Sequence, residues 1–203
     1  MKKYKYFIFD LDGVIIDSKK NMELSWKDTS KKFNLKIPFR YYFKLIGIPF
    51  NNILKRLKIV KKKIDIFLYY KKKSFQYSNK IKLFKDVKKT IFKLEKKKIK
   101  YFIVTSKDKI RSKFIIRKFR LKPQKLYCPE KGKPGKPHPF LLNKCIKKNK
   151  ISTKHVCYVG DTYFDFKTAK RAGVDFIFAK YGYGTIEKNM FSINNFREIL
   201  NYI

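Results

Sequence analysis

The sequence predicts an α/β fold, in which a doubly wound parallel sheet carries a small helical cap inserted after its first strand. Short apolar runs that end in acidic or small polar residues recur along the 203-residue chain. Between them lie segments with apolar residues three and four positions apart, a spacing that indicates helices. Residues 17–80 break this alternation, because they show helical spacing only. Alternating strands and helices are typical of a parallel sheet with helices on both faces.

Five apolar runs are predicted as strands. The first, YKYFIFD at residues 4–10, is a short aromatic and β-branched run before a glycine turn, as expected of a strand buried on both faces. YFIVTS at 101–106 and HVCYVGD at 155–161 have the same character. VDFIFAK at 174–180 and KLYC at 125–128 are predicted as the two further strands.

Four helices are predicted between these strands from the spacing of their apolar residues. They span residues 86–98, 109–119, 138–148 and 164–172. The last is expected to end at Gly173, because glycine commonly follows the last residue of a helix. A chain of this length buries enough surface for one domain with a modest insertion.

The cap is predicted over residues 17–80, and the core over residues 1–16 and 81–203. Three segments of the cap have apolar residues at helical spacing, which predicts helices packed over the end of the first strand. These residues are Met22, Trp26 and Phe33, then Ile53, Leu54 and Leu57, and finally Ile64, Phe67 and Leu68.

The chain has a formal net charge of +38, from 53 Lys and Arg against 15 Asp and Glu. Such a charge suggests a nucleic-acid partner. However, 46 of the basic residues are lysine and 7 are arginine, whereas bidentate reading of phosphates and bases favours arginine. The lysines are spread along the chain, and abundant Lys, Ile, Asn, Phe and Tyr beside 3 Ala are typical of AT-rich codons. We therefore expect no nucleic-acid partner.

The cysteines and the N-terminus favour a cytoplasmic protein. Cys128, Cys145 and Cys157 have neither zinc-ligand spacing nor the pattern of a disulfide framework, so reduced thiols are expected. The apolar run before Asp10 is too short for a signal peptide, and no stretch approaches a transmembrane span. No membrane partner is expected.

Two pairs of aspartates end two predicted strands. Asp10 and Asp12 lie two positions apart, so their side chains point to the same side of a strand. Such carboxylates repel each other unless a proton or a divalent cation lies between them. Asp161 and Asp165 follow another strand. A cluster of carboxylate oxygens suits Mg²⁺, so the sequence predicts a magnesium site.

Thr105 and Ser106 end a third predicted strand. Ligands of doubly wound sheets bind beyond the carboxyl ends of the strands, where these hydroxyl groups would meet the carboxylates. The combination suits phosphoryl transfer. An aspartate attacks phosphorus to give an aspartyl-phosphate, while Mg²⁺, lysine and hydroxyl groups stabilise charge on the phosphoryl oxygens.

Four motifs occur in the order and approximate spacing of a known family: DLDGV at residues 10–14, TS at 105–106, KPHP at 136–139 and GDTYFD at 160–165. In these motifs the chain resembles the haloacid dehalogenase-like hydrolase superfamily, in particular its phosphoglycolate phosphatase-like branch with a small helical cap. The resemblance spans essentially the whole chain. It implies a Rossmann-like core, Mg²⁺ as cofactor and a small phosphorylated metabolite as substrate. The substrate stays open between phosphoglycolate, a sugar phosphate and a nucleoside monophosphate.

The resemblance implies a role for each motif residue. Asp10 would be the nucleophile and a ligand of Mg²⁺. Asp12 would protonate the leaving oxygen and then activate water, and its backbone carbonyl would bind the metal. An acid at this second position favours phosphoryl transfer over cleavage of a carbon–halogen bond. Thr105 would hold the phosphoryl group through its hydroxyl, aided by the amide of Ser106.

Lys136 would neutralise the nucleophile and the phosphoryl oxygens. Asp161 would bind Mg²⁺, and Asp165 would support the metal or orient the lysine. Lys131 and Lys133 lie in the same KGKPGKPHP stretch. Lys136 is preferred because the Pro-His-Pro after it opens the next helix, where proline is tolerated in the first turn.

The motif residues also fit purely structural roles. Asp10 and Asp12 would suit a turn and a helix cap, and Thr105 would suit the end of a strand. Asp161 and Asp165 would suit an N-cap and a first-turn acid favoured by the helix dipole.

The cap loop Gly47-Ile48-Pro49-Phe50 resembles the loop of this branch that faces the catalytic aspartate. Gly47, with Arg40 or Lys44 nearby, is therefore expected at the substrate, although a plain helix–helix turn also explains this loop. A cap of this kind closes over the site and excludes water.

Two other functions stay open at this point. A phosphomutase of the β-phosphoglucomutase kind shares the motifs and the cap. A basic nucleic-acid-binding protein on a decayed hydrolase fold would bind DNA or RNA with a steep salt dependence and without Mg²⁺-dependent turnover. The intact motifs favour a phosphatase, acting as a monomer or a homodimer.

Overall fold

The computed structural model describes residues 2–186 and 190–203. Met1 and residues 187–189, which belong to the predicted core, lie outside the described residues. In chain order the strands are β1 (Tyr6–Phe9), β2 (Ile16–Asp17), β3 (Lys82–Leu83), β4 (Lys100–Val104), β5 (Leu126–Tyr127), β6 (Val156–Gly160), β7 (Asp175–Ala179) and β8 (Ser192–Ile193).

Six of these strands form one parallel sheet in the order β5-β4-β1-β6-β7-β8. The chain therefore starts in the middle of the sheet and adds strands on both sides, as a doubly wound fold does. The predicted fold class is confirmed, and all five predicted strands are present. The edge strand β8 was not predicted, because its two residues, unlike those of β5, do not lie in an apolar run.

The helices are α1 (Lys19–Lys32), α2 (Phe39–Phe43), α3 (Phe50–Arg56), α4 (Lys63–Gln76), α5 (Val87–Lys96), α6 (Lys109–Lys118), α7 (Phe140–Lys148) and α8 (Tyr163–Ala172), followed by a 3₁₀ helix (Phe196–Tyr202). The last four α-helices match the four predicted between strands to within two residues at each end. No helix in the described part of the chain is long and apolar enough to cross a membrane.

Two apolar layers cover the two faces of the sheet, because neighbouring side chains of a strand point to opposite faces. Phe7 and Phe9 of β1 pack in the layer that includes residues of α5, α6 and the 3₁₀ helix. Ile8, between them, packs in the layer that includes residues of α7 and α8. Burying a side chain of this size stabilises the fold by roughly 2 kcal/mol.

The cap helices α1 to α4 enclose an apolar cluster of their own. Aromatic rings dominate it: Trp26 stacks on Tyr42 at 4.5 Å between ring centroids, and Phe50 lies 4.6 Å from Tyr70. Such ring pairs add stability beyond the area that they bury. We infer from this separate cluster that residues 17–80 form the cap and residues 1–16 and 81–203 the core.

Strands β2 and β3 lie where the chain enters and leaves the cap. They are antiparallel, with Ile16 opposite Leu83 and Asp17 opposite Lys82. The amide of Phe84 extends the contact by donating to the Ile15 carbonyl at 3.1 Å. The two connections to the cap are therefore held side by side.

The apolar face predicted for α4 is wrong in part. Ile64 and Leu68 are mostly exposed, and the buried residues of this helix are Ile66, Tyr70 and Ser74. Of the three residues predicted, Ile64, Phe67 and Leu68, Phe67 packs partly buried against the cap cluster. In the structure the large aromatic Tyr70 contributes more to the cap cluster, and it fixes which face of α4 turns inward.

Candidate active site

The predicted site residues converge at the carboxyl ends of three neighbouring strands. Asp10 follows β1, Thr105 follows β4 and Asp161 follows β6. Because β1 lies between β4 and β6, their ends are adjacent. The sheet hydrogen bonds continue one residue further at Asp10, whose amide donates to the Val159 carbonyl at 2.9 Å. The nucleophile candidate therefore has a rigid backbone.

Three buried carboxylates form one cluster: Asp10, Asp161 and Asp165 each place an oxygen within 4.8 Å of the others. Burial raises the pKa of Asp10 to about 7, although the ammonium of Lys136 acts in the opposite direction. Burial and the carboxylate of Asp165 raise the pKa of Asp161 well above its usual value. Oδ1 of Asp161 has no hydrogen-bond partner among the described residues. The cluster therefore sets three buried carboxylates against one ammonium, that of Lys136.

Lys136 is the lysine of the KGKPGKPHP stretch that reaches this cluster. Its ammonium is buried, 3.0 Å from Oδ1 of Asp10 and 2.7 Å from Oδ1 of Asp165. The contact with Asp10 lacks the geometry of a hydrogen bond, whereas that with Asp165 has it. Although burial opposes it, attraction by both carboxylates raises the pKa of Lys136 to about 12. Lys131 and Lys133 are exposed.

Both carboxylate oxygens of Asp165 are occupied by protein donors. Oδ1 accepts from Lys136 and from the Tyr158 hydroxyl at 2.8 Å. Oδ2 accepts from the amide and hydroxyl of Thr162, the N-cap of α8, at 3.0 and 2.6 Å. Of the two roles implied for Asp165, this geometry favours orienting the lysine. Asp165 also has a structural role in the first turn of α8, because its carboxylate completes a capping box with Thr162.

Asp161 is held from the opposite side by backbone groups. The Tyr183 amide donates to its Oδ2 at 2.8 Å. Gly13, at φ +82°, lies so close that a Cβ atom there would be 1.9 Å from the same oxygen. Glycine is required here both for its backbone angle and for this approach.

Replacing Gly13 by alanine should displace Asp161 and lower turnover by about a hundredfold or more, because errors of one ångström in a site cost that much. Steady-state hydrolysis of a phosphomonoester measures the effect. Gly132→Ala is the matched control, since Gly132 has a similar φ of +72° but a Cβ atom there would contact nothing within 4 Å. Equal activity of the two variants would contradict the placement of Asp161.

Asp12 lies outside the three-carboxylate cluster. Its Oδ1 is 3.0 Å from the ammonium of Lys107 and accepts a hydrogen bond from the Ser18 hydroxyl. The side chain is only half-buried at the edge of the cleft. This position suits a group that exchanges protons with the substrate and solvent.

Thr105 and Ser106 lie on the wall beside the carboxylates. Thr105 is buried, with its hydroxyl accepting from the Lys107 amide at 3.2 Å. The Ser106 hydroxyl donates to the carbonyl of Gly47 at 2.7 Å, so the cap loop is tied to the core. A Cβ atom at Gly47, whose φ is +98°, would lie 2.7 Å from Oγ1 of Thr162. Glycine lets the cap loop approach the site this closely.

The cleft between cap and core encloses about 50 Å³. Its lining combines the acids and hydroxyl groups with apolar cap residues, including Met22, Tyr42, Ile48, Phe50 and Tyr70. Gly47, which was expected at the substrate, is part of the lining. Arg40 and Lys44, which were expected near the substrate, are exposed and neither lines this cleft. Tyr42 of α2 packs inward, whereas the side chains of Arg40 and Lys44 are exposed.

Two basic residues of the cleft were not predicted. Lys107 and Arg111 are both buried and line it beside Ser106. Lys107 follows the TS motif directly, so its position next to a strand end was the available signal. In a chain with 46 lysines this signal does not separate one lysine from the rest.

A comparison with protein families matches residues 7–179 to the family described as haloacid dehalogenase-like hydrolase. A comparison with curated protein sequences finds no significant match. Among solved structures, a hydrolase from Pseudomonas syringae has a TM-score of 0.87, 20% identity and coverage of 97% of this chain and 96% of that chain. A predicted phosphoglycolate phosphatase from Haemophilus somnus has a TM-score of 0.81 and 23% identity, with coverage of 99% of this chain and 98% of that chain. A predicted phosphatase from Clostridium acetobutylicum has a TM-score of 0.86 and 20% identity, with coverage of 98% of each chain.

Proposed function

The chain belongs to the haloacid dehalogenase-like hydrolases, and on that premise we propose that it is a Mg²⁺-dependent phosphatase of small phosphomonoesters. The family predicted from the four motifs is thereby confirmed. The observation that carries the proposal is the placement of Asp10, with the ammonium of Lys136 3.0 Å from its Oδ1 and the carboxylates of Asp161 and Asp165 beside it. The cytoplasmic location and the oligomeric state stay predictions.

The residues present fit a magnesium ion. The cluster offers oxygen ligands only, which Mg²⁺ prefers. Asp161 supports this most directly, because its Oδ1 is buried without a hydrogen-bond partner among the described residues. Asp10, Asp161 and the Asp12 carbonyl would hold the ion, with Asp165 behind them. When bound, Mg²⁺ supplies positive charge that offsets the charge on the phosphoryl oxygens.

The proposed reaction has two displacements at phosphorus. In the first, a carboxylate oxygen of Asp10 forms a bond to phosphorus while the ester bond breaks, and the leaving oxygen takes a proton from Asp12. In the second, Asp12 takes a proton from water, the water oxygen bonds to phosphorus and the bond to Asp10 breaks. The products are an alcohol and inorganic phosphate, and Asp10 is restored.

Three other groups bind the phosphoryl group during this reaction. Lys136 faces the nucleophile with a full positive charge, while the Thr105 hydroxyl and the Ser106 amide lie at the adjacent strand end. These donors are fixed before the reaction and act in a site that the cap shields from water. Thr105 and Ser106 therefore serve binding, and Lys136 serves both binding and charge neutralisation.

Phosphate release from phosphoglycolate, sugar phosphates, nucleoside monophosphates and an aryl phosphate, each with and without Mg²⁺, tests the proposal. Metal-dependent release from at least one compound is the expected result. Transfer to a sugar hydroxyl in place of water would identify the phosphomutase alternative. Steeply salt-dependent nucleic-acid binding without any release would identify the binding-protein alternative.

Mg²⁺ is expected to raise the melting temperature of the wild-type protein by about 5 °C or more near saturation. In the metal-free protein the stability contribution linked to Asp10 is fully present below pH 3.8 and is lost as the pH rises through about 7. Mg²⁺ competes with this proton, so the increase should be larger at pH 8 than at pH 6. Differential scanning fluorimetry measures both effects.

Asp161→Asn should lose most of this Mg²⁺-dependent increase, because it removes a charged oxygen from the site. The matched control is Asp65→Asn, which changes an exposed carboxylate on α4. If Mg²⁺ left the melting temperature of the wild type unchanged at both pH values, the proposed metal site would be contradicted.

A further inference from the structure

The hydroxyl of Ser18 bonds to a residue of the proposed active site instead of capping the helix that it precedes. Ser18 is the N-cap residue of α1, and its carbonyl accepts from the Met22 amide at 2.9 Å. A serine in this position usually accepts a hydrogen bond from a backbone amide of the first turn. Within the described chain its side chain makes no such bond. The hydroxyl donates instead to Oδ1 of Asp12.

This contact restrains one oxygen of the Asp12 carboxylate. Oδ1 also lies 3.0 Å from the ammonium of Lys107, so both contacts of the carboxylate use the same oxygen. Oδ2 has no hydrogen-bond or ion-pair partner in residues 2–186 and 190–203. Because Oδ1 is held at two points, Oδ2 is the oxygen that remains for the proton transfer proposed above. Ser18 thus helps to determine how Asp12 presents this oxygen.

The backbone amide of Ser18 is held in turn by the side chain of Tyr183. Ser18 is fully buried, and its amide donates to the Tyr183 hydroxyl at 2.6 Å. The hydroxyl has acceptors for its own proton in the same segment, Oδ1 of Asp17 at 3.0 Å and the Ile16 carbonyl at 3.3 Å. A hydroxyl donates one proton and accepts at its lone pairs, so these contacts are compatible. Without the hydroxyl, the buried Ser18 amide would lose this acceptor, and the segment would shift to regain one.

Tyr183 is itself anchored to the core and packed against the cap. Its amide donates to Oδ2 of Asp161 at 2.8 Å, and the amide of the next residue, Gly184, donates to the Asp161 carbonyl at 3.1 Å. Its ring packs against Phe43 of α2 and Phe84 after β3, at 5.4 and 6.3 Å between ring centroids. The position of the hydroxyl is therefore fixed by the backbone and the ring, independently of Ser18.

We propose that Tyr183 is a positioning residue for proton transfer: its hydroxyl holds the Ser18 amide, and the Ser18 hydroxyl orients Asp12. This inference rests on the proposed phosphatase function, in which Asp12 protonates the leaving oxygen. Tyr183 is not among the described residues that line the cleft. It therefore acts through these two hydrogen bonds and not on the substrate itself.

The test compares two substrates that differ in their need for a proton. The leaving oxygen of an alkyl phosphate needs one, whereas 4-nitrophenolate is a stable anion and leaves without it. The value of kcat/KM covers only the first displacement, because the alcohol leaves before water attacks. Tyr183→Phe should lower kcat/KM at least about tenfold for the alkyl phosphate that the wild type hydrolyses fastest, because general acid catalysis contributes about a hundredfold or more. For 4-nitrophenyl phosphate the loss should be less than about threefold.

Tyr181→Phe is the matched control. Tyr181 lies two residues away in the same loop, and its hydroxyl donates to the Val14 carbonyl at 2.9 Å, a contact that involves neither Ser18 nor Asp12. This variant should change kcat/KM by the same factor for both substrates. Circular dichroism of each variant establishes that it folds.

A double-mutant cycle tests whether Tyr183 acts through Ser18. Ser18→Ala removes the hydroxyl that holds Asp12 and leaves the amide in place, so it should reproduce the difference between the two substrates. The double variant should have a kcat/KM on the alkyl phosphate within about threefold of that of Ser18→Ala, because residues that act in one chain of contacts are not additive. The Mg²⁺ concentration that gives half the maximal rate should rise less than about threefold in Tyr183→Phe, because the amide contact with Asp161 is kept.

The outcomes separate the inference from the proposed function. An equal loss for both substrates in Tyr183→Phe, or no loss for either, would overturn the inference and leave the phosphatase intact. Multiplicative effects of the two substitutions, or a large rise in the Mg²⁺ requirement, would overturn the path through Ser18. No release from any phosphomonoester by the wild type would overturn the proposed function itself, and the inference with it.

Discussion

Asp10→Asn is expected to abolish phosphate release, with kcat lower by more than about a thousandfold, as losses of a nucleophile generally are. The amide has nearly the shape of the carboxylate but cannot form the bond to phosphorus. The change removes one of three buried carboxylates that repel one another, and Lys136 keeps its hydrogen bond with Asp165 at 2.7 Å. The melting temperature of the metal-free variant should therefore stay close to that of the wild type.

The decisive measurement is single-turnover phosphate release at saturating substrate and Mg²⁺. Asp65→Asn serves again as the control, because it removes an exposed carboxylate of the cap. If Asp10→Asn kept turnover within tenfold of the wild type, a covalent intermediate on Asp10 would be excluded. A mass increase of one phosphoryl group on wild-type protein quenched in acid, absent from the variant, would support it directly.

Lys136→Met is expected to lower both stability and turnover. It leaves the carboxylates of Asp10 and Asp165 without the ammonium that lies 3.0 and 2.7 Å from them. Removing one partner of a buried ion pair typically costs about 3–5 kcal/mol. The loss should be smaller at acid pH, because protonated carboxylates no longer need the ammonium. Urea unfolding of the metal-free protein at two pH values measures this dependence.

Lys133→Met is the control for this experiment, since Lys133 lies in the same loop and is exposed. It should leave the free energy of unfolding and the turnover nearly unchanged. If the two lysine variants behaved alike, the assignment of Lys136 to the site would fail. Retained stability with lost turnover would instead show that Lys136 acts on the phosphoryl group alone.

The fold was predictable where the chain repeats a pattern over enough residues. The strands at β1, β4 and β6 are continuous apolar runs, and the carboxylates after them mark the edge where ligands bind. β8 has two residues and owes its existence to pairing with β7. The inward face of α4 is determined by Tyr70, whose place in an aromatic cluster depends on three other helices.

The site was predictable to the extent that it lies in motifs next to strand ends. Asp10, Thr105 and Asp161 are positioned by the sheet itself, so the order of strands brings them together. Lys107 also lies next to a strand end, whereas Arg111 of α6 contacts the cap. Arg111 faces Ser74, 37 residues earlier in the chain, and no local pattern encodes a contact between separate elements of this kind.

The side-by-side strands β2 and β3 have a consequence for how such a protein can evolve. Because Ile16 lies opposite Leu83, the chain departs from the sheet and returns to it at one place. A different insertion joined between these two strands would leave the sheet register and the placement of Asp10 unaltered. The residues proposed for catalysis and the proposed cap would then be exchangeable modules, and replacing one would not require rebuilding the other.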